Sequence, residues 1–271
     1  MVKIVINETQ KTAQYYVEDL GNGITLDMVL IPGGSFVMGS PEDELERSDS
    51  ESPQHLVNIQ KFCMGKYPVT QAQWKAVAGL PQVNKELEAD PSNFKGDKRP
   101  VEQVSWYDAV EFCDRLAAQT KRQYRFPSEA EWEYACRAGT TTPFHFGETI
   151  TSELANYNGD EIYSAGVKGI YRRETTETGS FGVANAFGLY DMHGQVLEWC
   201  LDDWHSNYKG APNDGSAWLS KKQGISVLRG GSWFNNPSDC RSASRYNYDS
   251  GRVFHVSLIG FRVVCAAGRI L

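Results

Sequence analysis

Apolar and polar residues near the N-terminus follow patterns that predict short strands and one exposed loop. The segment MVLIPGGSFVMGS (28–40) contains two apolar runs around a Pro-Gly turn, which is typical of two strands. The segment HLVNIQKFCMGKYPVT (55–70) alternates between apolar and polar positions and predicts a further strand. Between them, PEDELERSDSESPQH (41–55) is acidic and polar, so we expect an exposed loop there.

Two short helices are predicted by their end signals. Thr70 precedes a helical pattern over 71–79 and can accept a hydrogen bond from a free amide of the first turn. Ser128 has Glu131 three positions later, which is the spacing of a capping box, and Gly139 can end this helix.

A longer helix is predicted between these two, from Trp106 to about Thr120. Ser105 is a good capping residue at its start. The spacing i, i+4, i+7, i+11 indicates one apolar face made of Trp106, Val110, Cys113 and Ala117.

After residue 140 the helical pattern ends, and Gly, Asn, Tyr and Trp separate short apolar runs. Amphipathic helices followed by a long, loop-rich stretch indicate an α+β fold with one core. Long segments without regular structure are often functional, so we expect binding or catalytic residues in this part of the chain.

Composition and charge exclude several classes of protein. The net charge is −7 and the chain has no run of Lys or Arg, so we expect no binding to nucleic acid. No apolar run is long enough for membrane insertion, and the N-terminus lacks a signal-peptide pattern, which predicts a cytoplasmic location. Reduced, buried cysteines are therefore favoured over a disulfide framework, the alternative, for Cys63, Cys113, Cys136, Cys200, Cys240 and Cys265.

Seven blocks of sequence add a family resemblance. They are MVLIPGGSFVMGS, YPVTQAQW, PVEQVSWYDAVEFC, YRFPSEAEWEYACRAG, FGLYDMHGQVLEWCLDDW, LRGGSW and GFRVV. In this order they resemble the formylglycine-generating enzyme family, also called the sulfatase-modifying-factor domain, from about residue 24 to 267. The resemblance implies a C-type-lectin-like fold for residues 24–271, preceded by an N-terminal strand or tether over 1–23.

The same resemblance bears on catalysis. Oxidases of this family bind copper through two cysteines, five residues apart, just after the GGS block. Here Asn235 stands at the first position and Cys240 at the second. Copper(I) prefers soft thiolate ligands, so we expect neither copper nor oxidase activity, and Cys240 is then a small buried residue. An oxygen-dependent oxidase that tolerates Asn235 is the alternative.

The resemblance also implies a structural calcium site in DMHGQVLE. The side chains of Asp191 and Glu198 and the backbone carbonyls of Gly194 and Val196 would supply oxygen ligands. The alternative is that Asp191 caps a turn and Glu198 pairs with an arginine. His193, in the same block, is expected to form hydrogen bonds rather than to bind a metal.

Within this family the C-terminal blocks RGGSW, CRSASR and IGFRVV resemble the variable proteins of diversity-generating retroelements, which implies a bacterial source. In those systems adenine-directed rewriting yields codons that exclude Lys, Glu, Gln, Met and Trp, and none of these occurs between Phe234 and Val264. The expected variable region is 229–264. We expect its diversified surface to bind a protein or other macromolecule through Phe234, Asn235, Asn236, Ser238, Asp239, Ser244, Tyr246, Asn247, Tyr248, Val253, Phe254, His255, Val256, Ser257 and Leu258.

The composition of that segment agrees with a binding role. Tyr supplies rigid amphipathic contact area, and Ser and Asn supply adaptable hydrogen bonds. We predict that YNYDSG (246–251) begins as a loop and that VFHVSL (253–258) is displayed, with a buried core strand at 253–258 as the alternative. A third interpretation is a ligand sensor fused to a signalling domain outside this sequence.

Overall fold

The structure is a computed structural model that describes residues 5–220, 224–251 and 256–267. Eleven strands are described in these ranges: β1 (Tyr15–Gly21), β2 (Ile24–Ile31), β3 (Gly34–Met38), β4 (His55–Ile59), β5 (Phe62–Gly65), β6 (Tyr124–Arg125), β7 (Leu197–Asp203), β8 (Ile225–Arg229), β9 (Arg245–Asp249), β10 (Ile259–Gly260) and β11 (Val264–Ala266). They form a five-stranded sheet in the order β1-β2-β5-β11-β6, a four-stranded sheet in the order β10-β7-β8-β9, and the pair β3-β4.

The N-terminal segment is part of the first sheet. β1 and β2 form an antiparallel hairpin closed by Asn22, which has φ of 53°, and Gly23, which has φ of 77°. Asn-Gly is a strong hairpin signal because both residues tolerate a positive φ. The boundary expected at residue 24 therefore falls at the start of the second strand of this hairpin.

The three helices begin where their capping residues predict. They are α1 (Gln71–Ala78), α2 (Trp106–Thr120) and α3 (Glu129–Arg137). Thr70, Ser105 and Ser128 each accept a hydrogen bond from an amide in the first turn and form complete capping boxes. Before Gly139, Ala138 already adopts the left-handed conformation and ends α3.

The predicted apolar face of α2 is displaced by one position. Trp106, Val110 and Ala117 are only partly buried, whereas the fully buried residues include Ala109, Phe112, Cys113 and Leu116. The helix also contains a buried ion pair, in which Arg115 Nε donates to Glu111 Oε1 over 2.6 Å. Periodicity alone did not reveal this pair, since both residues are charged.

Both strands predicted in 28–40 are present, and they belong to different sheets, because β2 joins the five-stranded sheet and β3 pairs with β4. The segment 41–55 contains a 3-10 turn at Asp49–Glu51, and the side chain of Glu51 is buried. The expectation of an exposed loop was therefore wrong for Glu44 and Glu51, which form ion pairs with an arginine described below.

An aromatic cluster forms the centre of the main core. Phe261 makes edge-on contacts with Trp74, Phe112 and Phe126, at ring-centroid distances of 6.1, 5.2 and 5.8 Å. These four residues come from α1, α2, the segment before α3 and the C-terminal GFRVV block. The core therefore joins distant blocks of the sequence.

From residue 140 to 196 the chain forms turns and isolated bridges without a helix or an extended strand, as the sequence predicts. All six cysteines are buried, and all six are free thiols in this structure. Of the helices in the described ranges, none is long and apolar enough to cross a membrane.

Candidate functional site

The segment between β8 and β9 is held at both ends by buried arginines. At the end of β8, Arg229 pairs with Glu133 of α3 and donates to the carbonyls of Ser242 and Ala243, each over 2.8 Å. At the start of β9, Arg245 forms a two-pronged ion pair with Glu129, at 2.6 and 2.8 Å. The two ends therefore rest on one helix.

A third arginine holds the middle of the segment. Arg241 forms a buried ion pair with Glu51, with Nη2 donating to Oε1 over 2.7 Å, and a second pair with Glu44. Burial raises the pKa of Glu51, but the hydrogen bonds from Arg241 outweigh it and leave that pKa below its usual value. The acidic loop thus supplies the counter-charges for Arg241.

Asn235 is tied into this segment by its own hydrogen bonds. Ser232 Oγ donates to Asn235 Oδ1 over 2.6 Å, and the Asn235 amide lies 3.4 Å from Tyr246 Oη. Its backbone carbonyl accepts from the amide of Asn158 over 2.9 Å. The side chain at the position of the family's first catalytic cysteine therefore has a structural set of partners.

Cys240 lies beneath the surface. Its exposed fraction is 0%, its thiol lies 3.6 Å from the carbonyl of Asn236, and burial raises the thiol pKa well above its usual value. Gly231 leaves room for it, because a Cβ at Gly231 would lie 2.5 Å from the sulfur. A buried, protonated thiol is a poor nucleophile and a poor metal ligand.

His193 connects two loops at this place, as a hydrogen-bonding residue. Its Nδ1 lies 2.7 Å from the carbonyl of Cys240, and its Nε2 accepts from the amide of His145 over 3.0 Å. The proton is therefore on Nδ1. Burial lowers the pKa of His193 to about 4, so the ring is neutral at pH 7.

An aromatic group lies beside Asn235 and extends to solvent. Phe234 is 54% exposed, and its ring contacts Trp233 at 5.7 Å between centroids. Trp233 also makes contacts with Phe94 and Tyr171, at 5.4 and 6.4 Å. Phe94 and Tyr171 are distant in sequence, so their part in this group was not predicted.

The predicted loop at 246–251 is part of the edge strand β9 as far as Asp249 and a turn at 250–251, so that expectation was wrong for residues 246–249. Tyr246 and Tyr248 are half-buried and pack partly on the main core, and Trp199 lies 6.4 Å from the ring of Tyr248. Asn247 is exposed, and strand alternation places it on the opposite face of β9. Burial and the neighbouring Asp239 carboxylate raise the pKa of Tyr246, so its phenol stays protonated and can donate to Asp239.

The structure gathers only part of the predicted binding surface on one side. Asn235 and Asn236 both lie within hydrogen-bonding distance of Asp239, and Asn235 also contacts Tyr246, which shares one face of β9 with Tyr248. We call the following residues the display face: Phe234, Asn235, Asn236, Asp239, Tyr246 and Tyr248. Ser238 is partly exposed beside it, and Asn247 points away.

Ser244 cannot belong to the display face. It is buried, and its carbonyl accepts a hydrogen bond from Arg229. Val256 and Leu258 are half-buried against the main core, and the carbonyl of partly exposed Ser257 accepts from Trp233 Nε1 over 2.7 Å. The alternative of a core segment therefore holds in part for residues 256–258. The predicted residues Val253, Phe254 and His255 lie outside the described ranges.

Of the four residues of the implied calcium site, Asp191 and Glu198 have other hydrogen-bond partners in this structure. Both carboxylate oxygens of Glu198 are engaged, by the guanidinium of Arg262, at 2.9 and 3.1 Å, and by Trp132 Nε1 at 2.8 Å. Asp191 instead accepts from the amide of Gly179 over 2.7 Å, and Val196 is buried near Gly194. A cation on Glu198 would face the positive charge of Arg262, so the arrangement favours the ion pair.

Within the described ranges, no group of three or more His, Cys, Asp or Glu side chains is placed to hold a metal. The implied calcium site has only two carboxylates and takes its other oxygen ligands from the backbone, so calcium at the DMHGQVLE block stays a prediction.

Comparison with known proteins identifies the family. Residues 18–267 match the family described as "Sulfatase-modifying factor enzyme 1-like domain". The chain belongs to this family. Its relatives include "Inactive C-alpha-formylglycine-generating enzyme 2" of Bos taurus, 27% identical over 93% of this chain and 92% of that protein. They also include "Formylglycine-generating enzyme" of Mus musculus, 27% identical over 90% of this chain and 75% of that protein. Membership therefore does not decide whether this protein is catalytic.

Other relatives differ in the length that they share. "Chaperone protein LppX" of Paenibacillus barcinonensis is 30% identical over 247 residues, which cover 72% of this chain and 79% of that protein. "Serine/threonine-protein kinase pkn1" of Chlamydia caviae is 32% identical over 263 residues, covering 89% of this chain but 38% of the kinase. The chain therefore spans most of the length of the first of these relatives and 38% of the second.

Solved structures confirm the predicted fold class, a loop-rich α+β fold of the C-type-lectin-like kind. PvdO from Pseudomonas aeruginosa is 34% identical with a TM-score of 0.79, covering 95% of this chain and all of that chain. Treponema denticola variable protein 1 has the same coverage, 24% identity and a TM-score of 0.74. At that identity the second similarity shows the fold alone.

Proposed function

We propose that this protein is a non-catalytic binding domain that presents its display face to a protein or other macromolecular ligand. The observation that carries this proposal is the structural use of Asn235. Where the family's oxidases have their first cysteine, this chain has an amide that is hydrogen-bonded to Ser232 and lies beside Tyr246. The residue at this position therefore stabilises the conformation of the segment between β8 and β9.

The state of Cys240 supports the same proposal. Copper-dependent oxidation needs accessible thiolates, because soft thiolate sulfur is the preferred ligand of copper(I). Cys240 is fully buried, and burial keeps its thiol protonated. An oxidase that uses this thiol would first have to open the 3-10 turn at Pro237–Cys240, which Arg241 holds through two buried ion pairs.

The chemistry of the display face favours a macromolecular ligand. Phe234 and Tyr246 supply aromatic area, and Asn235 and Asn236 supply donors and acceptors. Large aromatic side chains next to adaptable amides are the composition of binding surfaces that recognise proteins. The buried arginines lower the ordering cost, since the backbone beneath these side chains is already held in place.

Copper titration tests the non-catalytic part of the proposal. Purified protein is titrated with copper(I) against a chromophoric chelator and then incubated with oxygen, a thiol reductant and a sulfatase-motif peptide. We expect no transfer of copper to the thiol and no formylglycine in the peptide by mass spectrometry. Formylglycine that forms with the wild type and is lost in Cys240→Ser would establish the oxidase alternative instead.

A gain-of-binding variant serves as the matched control for the copper titration. Asn235→Cys restores two thiols at the spacing of the family's oxidases, and two thiolate–copper bonds would offset the cost of opening the turn that buries Cys240, so we expect this variant to withdraw copper(I) from the chelator where the wild type does not. The double variant Asn235→Cys with Cys240→Ser should lose that capacity. Equal binding by all three proteins would place copper elsewhere in the chain.

Neighbouring DNA tests whether the display face is diversified. We expect a near-copy of the stretch that encodes residues 229–264, next to a gene for a reverse transcriptase. The two copies should differ almost only where the template has adenine. Differences distributed evenly over the four bases would exclude diversification of this kind, but they would not bear on catalysis, which the copper experiments test.

A further inference from the structure

Two cysteines face each other in the five-stranded sheet, far from the display face. Cys63 of β5 is the direct partner of Cys265 in β11, and Tyr124 of β6 continues the same row. Side chains of directly opposed residues lie on the same side of a sheet, so the two thiols point the same way. Both residues are 1% exposed.

The register gives this pair the backbone spacing of a disulfide. The amide of Gly65 donates to the carbonyl of Val263 over 2.8 Å, which makes these opposed residues a hydrogen-bonded pair. Such pairs alternate along an antiparallel ladder, so Cys63 and Cys265, two positions further on, are also of this kind. Their Cα atoms are then about 5.5 Å apart, within the range found for disulfides.

Polar groups surround the sulfur of Cys265. Tyr16 Oη lies 3.0 Å from Cys265 Sγ and 3.0 Å from Tyr124 Oη, and Tyr124 donates to Glu18 Oε2 over 2.7 Å. Arg122 closes the outer side, with its Nε 3.2 Å from Glu18 and its guanidinium 4.7 Å from the centre of the Tyr16 ring.

This environment separates the two thiols chemically. The hydrogen bond with Cys63, helped by the one with Tyr16, lowers the pKa of Cys265 to about 7 against the opposing effect of burial. The same thiol–thiol contact and burial raise the pKa of Cys63. Burial also raises the pKa of Cys113 and Cys136, with the latter at about 12. Cys265 is therefore set apart as a reactive thiol.

We propose that Cys63 and Cys265 form a redox-modification site that closes to a cross-strand disulfide when the protein meets a small peroxide. The thiolate of Cys265 attacks one oxygen of hydrogen peroxide, breaking the O–O bond, and the released hydroxide takes a proton to give water. Cys265 becomes a sulfenic acid. Cys63 then attacks this sulfur, the S–S bond forms, and the hydroxyl leaves as a second water with the proton of the Cys63 thiol.

Access to the pair is through the edge of the sheet. Tyr16 belongs to β1, the edge strand, and is only partly buried. Edge strands open at a lower free-energy cost than central ones, so local opening of β1 exposes Cys265 to a small oxidant before the protein unfolds. Cys63 lies on the central strand β5 and reacts second.

Peptide mapping after oxidation tests the proposal. Native protein is treated with hydrogen peroxide, denatured, alkylated and digested. We expect one linked peptide pair, Cys63 with Cys265, with the other four cysteines alkylated, and we expect a thiol reductant to reverse the link. Cys113→Ser, a buried cysteine of the same core cluster, is the matched control and should form the same link. A link between other cysteines, or none, would overturn the proposal.

Two variants test the assigned roles. In Cys63→Ala the sulfenic acid of Cys265 has no resolving thiol, so a dimedone adduct should accumulate on Cys265. In Tyr16→Phe the thiolate loses a hydrogen-bond donor, so oxidation should slow and the pH midpoint of its rate should move upward. An adduct on Cys63 in Cys265→Ala at the same rate, or an unchanged pH profile in Tyr16→Phe, would refute Cys265 as the nucleophile.

Discussion

The C-terminal segment contains two kinds of residue that differ in what they contact. The anchored arginines, Arg229, Arg241, Arg245 and Arg262, are buried, and each forms an ion pair with a carboxylate. On the display face, Phe234 and Asn236 project into solvent a few residues away. The difference shows how one segment combines a fixed backbone with replaceable side chains.

The arginines are suited to the fixed part for a physical reason. A guanidinium donates in several directions at once, so one side chain satisfies a carboxylate and the carbonyls of an irregular loop. Arg262 shows this, since it donates to Glu198 and to the carbonyls of Gly65, Lys66 and Tyr190. Loops without a ladder of backbone hydrogen bonds thus acquire a defined shape.

The largest effect is expected at an anchored arginine. Arg241→Ala leaves Glu51 and Glu44 buried without a counter-charge, and we expect a loss of about 3–5 kcal/mol in the free energy of unfolding. Lys95→Ala, which removes an exposed pair with Asp90, is the control and should cost about 0–1 kcal/mol. Denaturant melts measure both, and equal losses would remove the distinction between buried and exposed pairs.

Removal of a core ring should cost about as much. Phe261 is fully buried among Trp74, Phe112 and Phe126, so Phe261→Ala should lower the free energy of unfolding by about 3–5 kcal/mol. Phe261→Leu keeps most of the volume and should cost clearly less. A small loss in the alanine variant would mean that the aromatic cluster does not support the C-terminal block.

Acid should weaken the anchored region. Because the folded-state pKa of Glu51 is below its usual value, the ion pair with Arg241 contributes at neutral pH. That contribution is lost as the pH falls below the ordinary pKa of glutamate and through the lower folded value. The stability difference between the wild type and Glu51→Gln should therefore be largest near pH 7 and shrink on acidification, as measured by thermal melts. A constant difference would contradict the assignment.

An intermediate effect is expected at the boundary between the two kinds of residue. Tyr246 is half-buried, and its hydroxyl lies beside Asn235 and Asp239. Tyr246→Phe keeps the ring and removes the hydroxyl, so it should cost about 0.5–1.5 kcal/mol in a denaturant melt. No loss at all would place the hydroxyl among the freely replaceable groups of the display face.

The smallest effect is expected at the most exposed position. Phe234 is 54% exposed, so Phe234→Ala should change the free energy of unfolding by no more than about 0.5 kcal/mol. Phe234→Ser should behave alike. A loss near that of Phe261→Ala would mean that the ring supports the fold and that the display face is smaller than we propose.

Local signals in the sequence predicted the helices because capping needs residues only three positions apart. Thr70, Ser105 and Ser128 each formed the expected capping box. The seven blocks of sequence and their order likewise indicated the family and its loop-rich fold. Local patterns did not predict the burial of charged residues. Glu51 lies in a segment whose composition predicts an exposed loop, and its partner Arg241 is 190 positions away.

The sequence by itself determined the helices, the buried cysteines, the replacement at Asn235 and the family. Only the tertiary structure decided which residues share a surface: it joined Phe94 and Tyr171 to Trp233, buried Ser244, turned Asn247 to the other side of β9 and set Cys63 opposite Cys265. Contacts between distant residues depend on strand register and on buried ion pairs. A change of one position in register reverses the side on which every side chain of a strand lies, and for strands that are distant in sequence the register depends on how the whole chain packs.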